Sequence, residues 1–202
     1  MAAVTVEDVC NQALTILAEA SIESLEENNR PARLLNTHFE STRQAELSKH
    51  AWAFAIYRVE LDAIADADMP VGETYGYGYT VPDDALRVLD LTHNGEAHGV
   101  SIPHKREGNL ILSNYEGPRL IRYIANLTDP DDWDPLFVKV LAAALAAEIA
   151  YALTGKESAE TRAYRRYEMV VADARRLNAI ESGSVFRAQS WASARGDTSE
   201  LY

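Results

Sequence analysis

Apolar residues recur at three- and four-residue steps near the start of the chain, where Val6, Val9, Cys10, Ala13, Leu14 and Leu17 fall on one helical face within residues 5–19. Thr5 followed three residues later by Asp8 makes a capping box, and acids in the first turn suit the positive end of the helix dipole. After the polar loop SIESLEENN, Pro31 fits the first turn of a second helix, in which Leu34, Leu35, His38, Phe39 and Thr42 align down one face to about Lys49. His38 reads there as a core histidine holding a hydrogen bond. Between residues 51 and 127 the pattern shortens. AWAFAIYRVEL alternates Trp52, Phe54 and Ile56, and the runs YGYGYTV, ALRVLDLT, GVSIP, NLILS and RLIRYIA follow, separated by VPDD, HNGE, REGN and YEGP. These predict a small antiparallel sheet, with HNGE and EGN as hairpin turns because glycine accepts the positive φ a tight hairpin imposes.

The helical period returns at DWDPLFVKVLAAALAAEIAYALTG, with Asp134 as cap, Pro135 in the first turn and Gly155 as the stop. That helix is apolar nearly all round and is expected at the centre of the fold. A last helix over Ser158 to Ser182 sets Tyr164, Tyr167, Val171, Ala174 and Leu177 on its inner face, with Arg162, Arg165, Arg166, Arg175 and Arg176 largely outside it. The pattern predicts an α+β chain that is mainly α: an antiparallel bundle of about four helices with a small antiparallel β-rich insertion and an extended C-terminal tail. Residues 1–56 and 129–182 form the bundle, 57–128 the insertion and 183–202 a flexible tail without sustained periodicity.

The 202 residues suit one domain or one domain with an insertion, and 47% hydrophobic residues are enough for a real core. The most apolar stretch, Leu136 to Leu153, contains Lys139 and Glu148, and the N-terminus lacks the basic-then-apolar order of a secretory signal. The expectation is a chain that stays in the cytosol and crosses no membrane. A single cysteine, Cys10, excludes an internal disulfide. Net charge is −12 and unevenly placed: residues 1–68 carry 5 basic and 12 acidic groups, 69–134 carry 5 and 11, and 135–202 carry 9 and 8. A surface this acidic does not grip nucleic acid through phosphates.

Catalytic patterns are thin. The chain has no G-x-S-x-G elbow, and the glycines of YGYGY lack the third glycine and the helix of a dinucleotide loop. His93, His98 and His104 read as loop residues rather than a zinc set, and DPDDWD reads as a carboxylate-rich helix start without the spaced ligands of a calcium loop. Paired carboxylates for glycoside hydrolysis depend on separation in space, for which 31 acids give no preferred pair. No catalytic, cofactor-binding or metal-ligating set is predicted.

Four segments carry a larger resemblance: VCNQALTILAEASI, RLLNTHFESTRQAELSKHAWAFAIYRVEL, YGYGYTVPDDALRVLDL and LIRYIANLTDPDDWDPLFVKVLAAALAAEIAYALTG. Over residues 6–182 they resemble the tail tubular protein A family, the head-to-tail adaptors of tailed bacteriophages. Asn11-Gln12-Ala13-Leu14, the W-x-F-A element at Trp52 to Ala55, and Tyr79-x-x-Pro82-x-Asp84 leading to Arg87-Val88 carry most of it; Val81 stands where the family usually has leucine. The resemblance implies a virion protein at the head–tail junction, assembled in the host cytoplasm into a ring, typically a dodecamer. Such a ring sits beneath the portal protein and receives the downstream tail or nozzle protein, with DNA only as passing cargo. The implied alternative is a peptidoglycan-degrading entry enzyme of the tail.

On that reading Phe186, Trp191 and Tyr202 are aromatic anchors for the portal or a neighbouring subunit. In YGYGYTV, Tyr75, Tyr77 and Tyr79 share one strand face and Gly76 and Gly78 leave the other nearly bare. Tyr79 is expected to pack inward, and Tyr75 and Tyr77 to meet a subunit or tail component.

Overall fold

The computed structural model describes residues 4–65, 69–70, 74–93 and 101–181. In chain order the described elements are α1 (Val6–Leu17), α2 (Arg30–Lys49), β1 (Ile56–Leu61), β2 (Tyr77–Thr80), β3 (Ala85–His93), β4 (Lys105–Glu107), β5 (Leu110–Ser113), β6 (Arg119–Ala125), α3 (Pro135–Thr154) and α4 (Glu157–Glu181). Local chemistry sets the helix ends. The capping box forms at α1, where Asp8 N–H donates to Thr5 Oγ1 at 3.1 Å and Thr5 N–H to Asp8 Oδ2 at 3.0 Å. Asn29 Oδ1 accepts from Ala32 N–H at α2, and Asp134 Oδ1 accepts from Leu136 N–H at α3. Gly155 ends α3 at φ +67°, a left-handed conformation that glycine adopts without strain.

By length and composition α3 is apolar enough to cross a membrane, with a mean hydropathy of 1.9. Its faces are instead covered by α1, α2 and α4, and Phe137, Leu141, Leu145 and Ile149 are fully buried there. Around it lies a core that also takes Leu14, Leu35, Leu47 and Trp52. Asn11 closes the loop after α1: its side-chain amide donates to Ile22 O at 2.9 Å and accepts from Ile22 N–H at 2.8 Å, satisfying the backbone of a buried residue.

The strands form two three-stranded antiparallel sheets, ordered β1-β6-β3 and β2-β5-β4. A second core lies between them, built from Tyr79 and Ile111 of one sheet and Leu91, Ile121 and Tyr123 of the other. Strand β6 is buried on both faces: Ile121, Tyr123 and Ala125 point into this second core, while Ile124 points into the helical one. Strand β3 does the same through two bulges. Ala85, Val88 and Leu91 pair with Ala125, Tyr123 and Ile121, three residues apart rather than two, and the extra residues Leu86 and Leu89 turn toward the helices.

The bundle with a small insertion is therefore corrected. The described chain is a mixed α+β fold, about 51% helix and 20% strand, in which the β1-β6-β3 sheet is a middle layer between helices and the second sheet. Polar contacts tie the layers. The Leu127 carbonyl after β6 accepts from Arg43 Nη1 of α2 at 2.6 Å and from Trp133 Nε1 at 3.0 Å.

Further expectations change with it. Trp52 and Phe54 precede the strand, because Ala53–Ala55 form a short 3₁₀ turn and β1 starts at Ile56. The described part of GVSIP is no strand, though Ile102 N–H donates to Leu91 O at 2.7 Å. The EGN turn forms between β4 and β5 with Gly108 at φ +57°, whereas residues 94–96 of HNGE lie outside the described residues. In α4 the inner face is Ala159, Ala163, Val171, Ala174 and Asn178, and Tyr164 and Leu177 are exposed. Small side chains let α4 lie close to α3, which turns the larger residues outward.

Asn178 secures the link from α2 to β1, accepting from Ala53 N–H at 2.8 Å and donating to Ala51 O at 3.1 Å and toward His50 Nε2 at 3.0 Å. The ring accepts that bond only when Nε2 is unprotonated. Burial holds the His50 imidazole below its ordinary value of 6.5, and Arg175 and Arg87 add to the effect. An imidazole held neutral in the fold but free to protonate when unfolded stabilises above pH 6.5, and that contribution is lost as pH falls through the folded value. The urea midpoint is expected to drop between about pH 7.5 and 5.5, above the carboxylate range, with a shallower drop in His50→Gln. Equal slopes in both proteins would assign the effect elsewhere.

Candidate functional site

Helical spacing brings three elements onto one groove of about 540 Å³. From α2 come Ser41, Thr42, Ala45, Glu46 and Lys49, from α3 Ala144, Ala147 and Glu148, and from α4 Glu160, Thr161, Tyr164 and Tyr167, each set at the steps that share a helix face. The small residues open the space and the charged and aromatic ones furnish it.

At one end Glu46 is only 2% exposed although it is a carboxylate. Lys49 Nζ lies 2.6 Å from its Oε1, and the Tyr167 hydroxyl lies 3.1 Å from both oxygens. Lys49 also donates to the Tyr167 hydroxyl at 3.3 Å and stands 5.5 Å above its ring. Burial works to lower the Lys49 ammonium, but the hydrogen bond and charge of Glu46 outweigh it and hold the group above its ordinary range. Burial, then Glu46, pushes the Tyr167 phenol up. The buried charge is thus paired and hydrogen-bonded, which burial of a carboxylate requires. Glu148 is well exposed at the rim, with His38 Nδ1 3.8 Å from its Oε1, so His38 is half-buried beside a carboxylate rather than in the core.

None of these groove residues was singled out as a site from sequence. The available signal was the presence of Arg43 and Glu46 in the inward stripe Leu35, Phe39, Leu47 of α2, where charge is costly unless partnered.

A second feature lies on the outer side of α4. At 100° per residue Arg162, Arg165, Met169, Arg176 and Ile180 fall within about 60° of one another and form a stripe roughly 27 Å long. Met169 is 62% exposed and Ile180 67%, and the four-residue and seven-residue steps place Arg165 before Met169 and Arg176 between Met169 and Ile180. Next to this stripe Arg162 and Arg166 line a groove of about 480 Å³ against Thr15 to Ala18 of α1. The connection between α1 and α2 exposes Glu19, Glu23 and Glu26.

The residues expected to bind partners are distributed unevenly. Phe186, Trp191 and Tyr202 lie outside the described residues. Tyr75 and Tyr77 are half-buried at β2, where Tyr77 packs on the second core. Tyr79 is fully buried, and its hydroxyl donates to Tyr115 O at 2.5 Å. The glycine side is covered at Gly78, where a Cβ would stand 2.7 Å from Met69 Sδ and 2.9 Å from Ile64 Cδ1, and open at Gly76. A side chain at position 78 would require the ends of the Ile64 and Met69 side chains to shift. Of the three histidines considered for zinc, the described ring is His104, whose Nδ1 lies 2.8 Å from Ile102 O.

The residues carrying the adaptor resemblance are largely fold-fixing. Asn11 holds a loop, Trp52 sits between helices and sheet, and the Asp84 carboxylate accepts from Tyr123 Oη at 3.3 Å. Comparison of the sequence with family models and with curated proteins returns no match.

Proposed function

We propose that the chain is a structural head-to-tail adaptor of a tailed bacteriophage, acting without catalysis in a ring beneath the portal. DNA passes through this ring and the tail assembles on it. The single observation that carries the reading is the basic and apolar stripe on α4 of an otherwise acidic chain. A large apolar side chain left in water between arginines is the chemistry of a contact surface. The complement is present on the same molecule, in the exposed glutamates between α1 and α2. Two different surfaces of one chain that attract each other make a head-to-tail contact, which closes into a ring when the rotation per subunit allows. Acidic segments elsewhere suit a channel through which DNA slides without adhering.

Arg162 and Arg165 are exposed, so reversing both charges tests the contact without disturbing the core. Arg162→Glu with Arg165→Glu is expected to leave the helix signal unchanged and to lower the yield of rings at least tenfold in sedimentation velocity with portal. A yield equal to that of the unmodified protein would remove the stripe from the contact.

A further inference from the structure

Strand β1 forms one edge of the middle sheet: among the described residues it pairs with β6 and with no strand on its other side. An edge leaves a row of backbone N–H and C=O groups open to a further strand, and proteins usually guard it with charge. Here the charge is of both signs, and its order matters. Tyr57, Arg58 and Glu60 are exposed, and Val59 and Leu61 are half-buried.

Across the sheet, the register sets Asp90 of β3 beside Arg122 of β6, and Arg122 beside Arg58 of β1. Arg122 Nη1 lies 3.1 Å from Asp90 Oδ2. Arg58 therefore ends a row that reads acid, base, base, and a carboxylate on the next strand outward would complete it. On the other face Tyr57 stands beside Tyr123, with ring centroids 6.3 to 6.4 Å apart at most and its own surface still 44% exposed. The next strand outward must then offer an acid opposite Arg58 and, beside that acid, an apolar residue opposite Tyr57. Read in the antiparallel direction, β1 itself offers both, as Glu60 and Leu61.

We propose that β1 pairs antiparallel with β1 of a second copy about a two-fold axis at Val59. The two middle sheets become one sheet of six strands, ordered β3-β6-β1-β1-β6-β3. Arg58 of each copy faces Glu60 of the other, and Tyr57 lies against Leu61. Side chains alternate between faces, so only registers that slide by two residues keep both faces matched. Sliding by two sets Arg58 against Arg58 or Glu60 against Glu60, and charge thus selects the register centred on Val59. The contact closes on itself after two copies. It is separate from the head-to-tail contact proposed above and needs no portal.

Sedimentation velocity of the full chain alone, over a range of concentrations, is expected to show monomer in equilibrium with dimer, weak because the edge is short. Arg58→Glu sets acid against acid across the axis, and Glu60→Arg sets base against base. Each variant by itself is expected to dimerise at least tenfold more weakly, with the helix signal unchanged because both side chains are exposed. Mixed in equal amounts, the two variants complement each other at both positions, and a heterodimer of about the original strength is expected. A monomer at every concentration of the unmodified chain would overturn the proposal. So would a dimer that both single variants leave intact, or folded variants that fail to associate when mixed.

Discussion

Trp52→Ala is expected to cost about 3–5 kcal/mol, the range for deleting a buried tryptophan, and so to remove a large share of the total stability of a single domain. The side chain is 2% exposed and stands where helices meet sheet. Its ring lies edge-on to Phe137 at 5.5 Å and to His50 at 4.8 Å, with Phe54 at 6.3 Å. Its Nε1 donates to Glu46 O at 3.0 Å. Deleting it leaves a cavity at the junction and frees a buried carbonyl. Trp52→Phe keeps much of the packing and loses the donor, so a cost of about 1–3 kcal/mol is expected. Urea unfolding followed by the helix signal reads both. A loss below about 1 kcal/mol for the alanine variant would mean that the junction does not hold the layers together.

The second large effect belongs to the opposite side of the middle sheet. Tyr79 is fully buried, and its ring fits against Gly117, where an added Cβ would stand 3.0 Å from Tyr79 Cε1. Tyr79→Ala is expected to cost about 3–5 kcal/mol through the cavity it leaves. Tyr79→Phe retains the ring and loses only the hydrogen bond to Tyr115 O, a net effect of about 1 kcal/mol. The gap between the two variants separates packing from hydrogen bonding. Similar losses in both would place the stabilisation in the hydroxyl, contrary to the buried ring.

What could be read along the chain was what is decided by near neighbours. Thr5 with Asp8, Asp134 with Pro135, and Gly155 and Gly108 each act within a few residues, and each sets the end or turn its chemistry predicts. The remaining features depend on partners far away. RLIRYIA looks like any short strand, and nothing local says that Ile124 will face helices while Tyr123 faces a second sheet. The bulges of β3 shift Leu86 and Leu89 across the sheet and break the two-residue alternation on which a strand is read. That double-sided burial is why the β-region is a layer of the fold rather than an insertion into a bundle.

The face of α4 was misjudged for a related reason. Val171 and Ala174 face inward as expected, but hydrophobic size also favoured Tyr164 and Leu177, whereas close approach to α3 selects Ala159 and Ala163. The same rotation turns Met169 and Ile180 into solvent beside the arginines. Glu46 of the groove was hidden because its partners, Lys49 and Tyr167, come from its own helix and from a residue 121 positions away.

Electron microscopy of the unmodified protein mixed with a phage portal protein measures the proposed role most directly. Closed rings of this chain are expected on one face of the portal, with an open centre and with few or none when Arg162 and Arg165 are both reversed to glutamate. Free portal beside unassociated copies of this chain across a range of salt concentrations would contradict the proposed role.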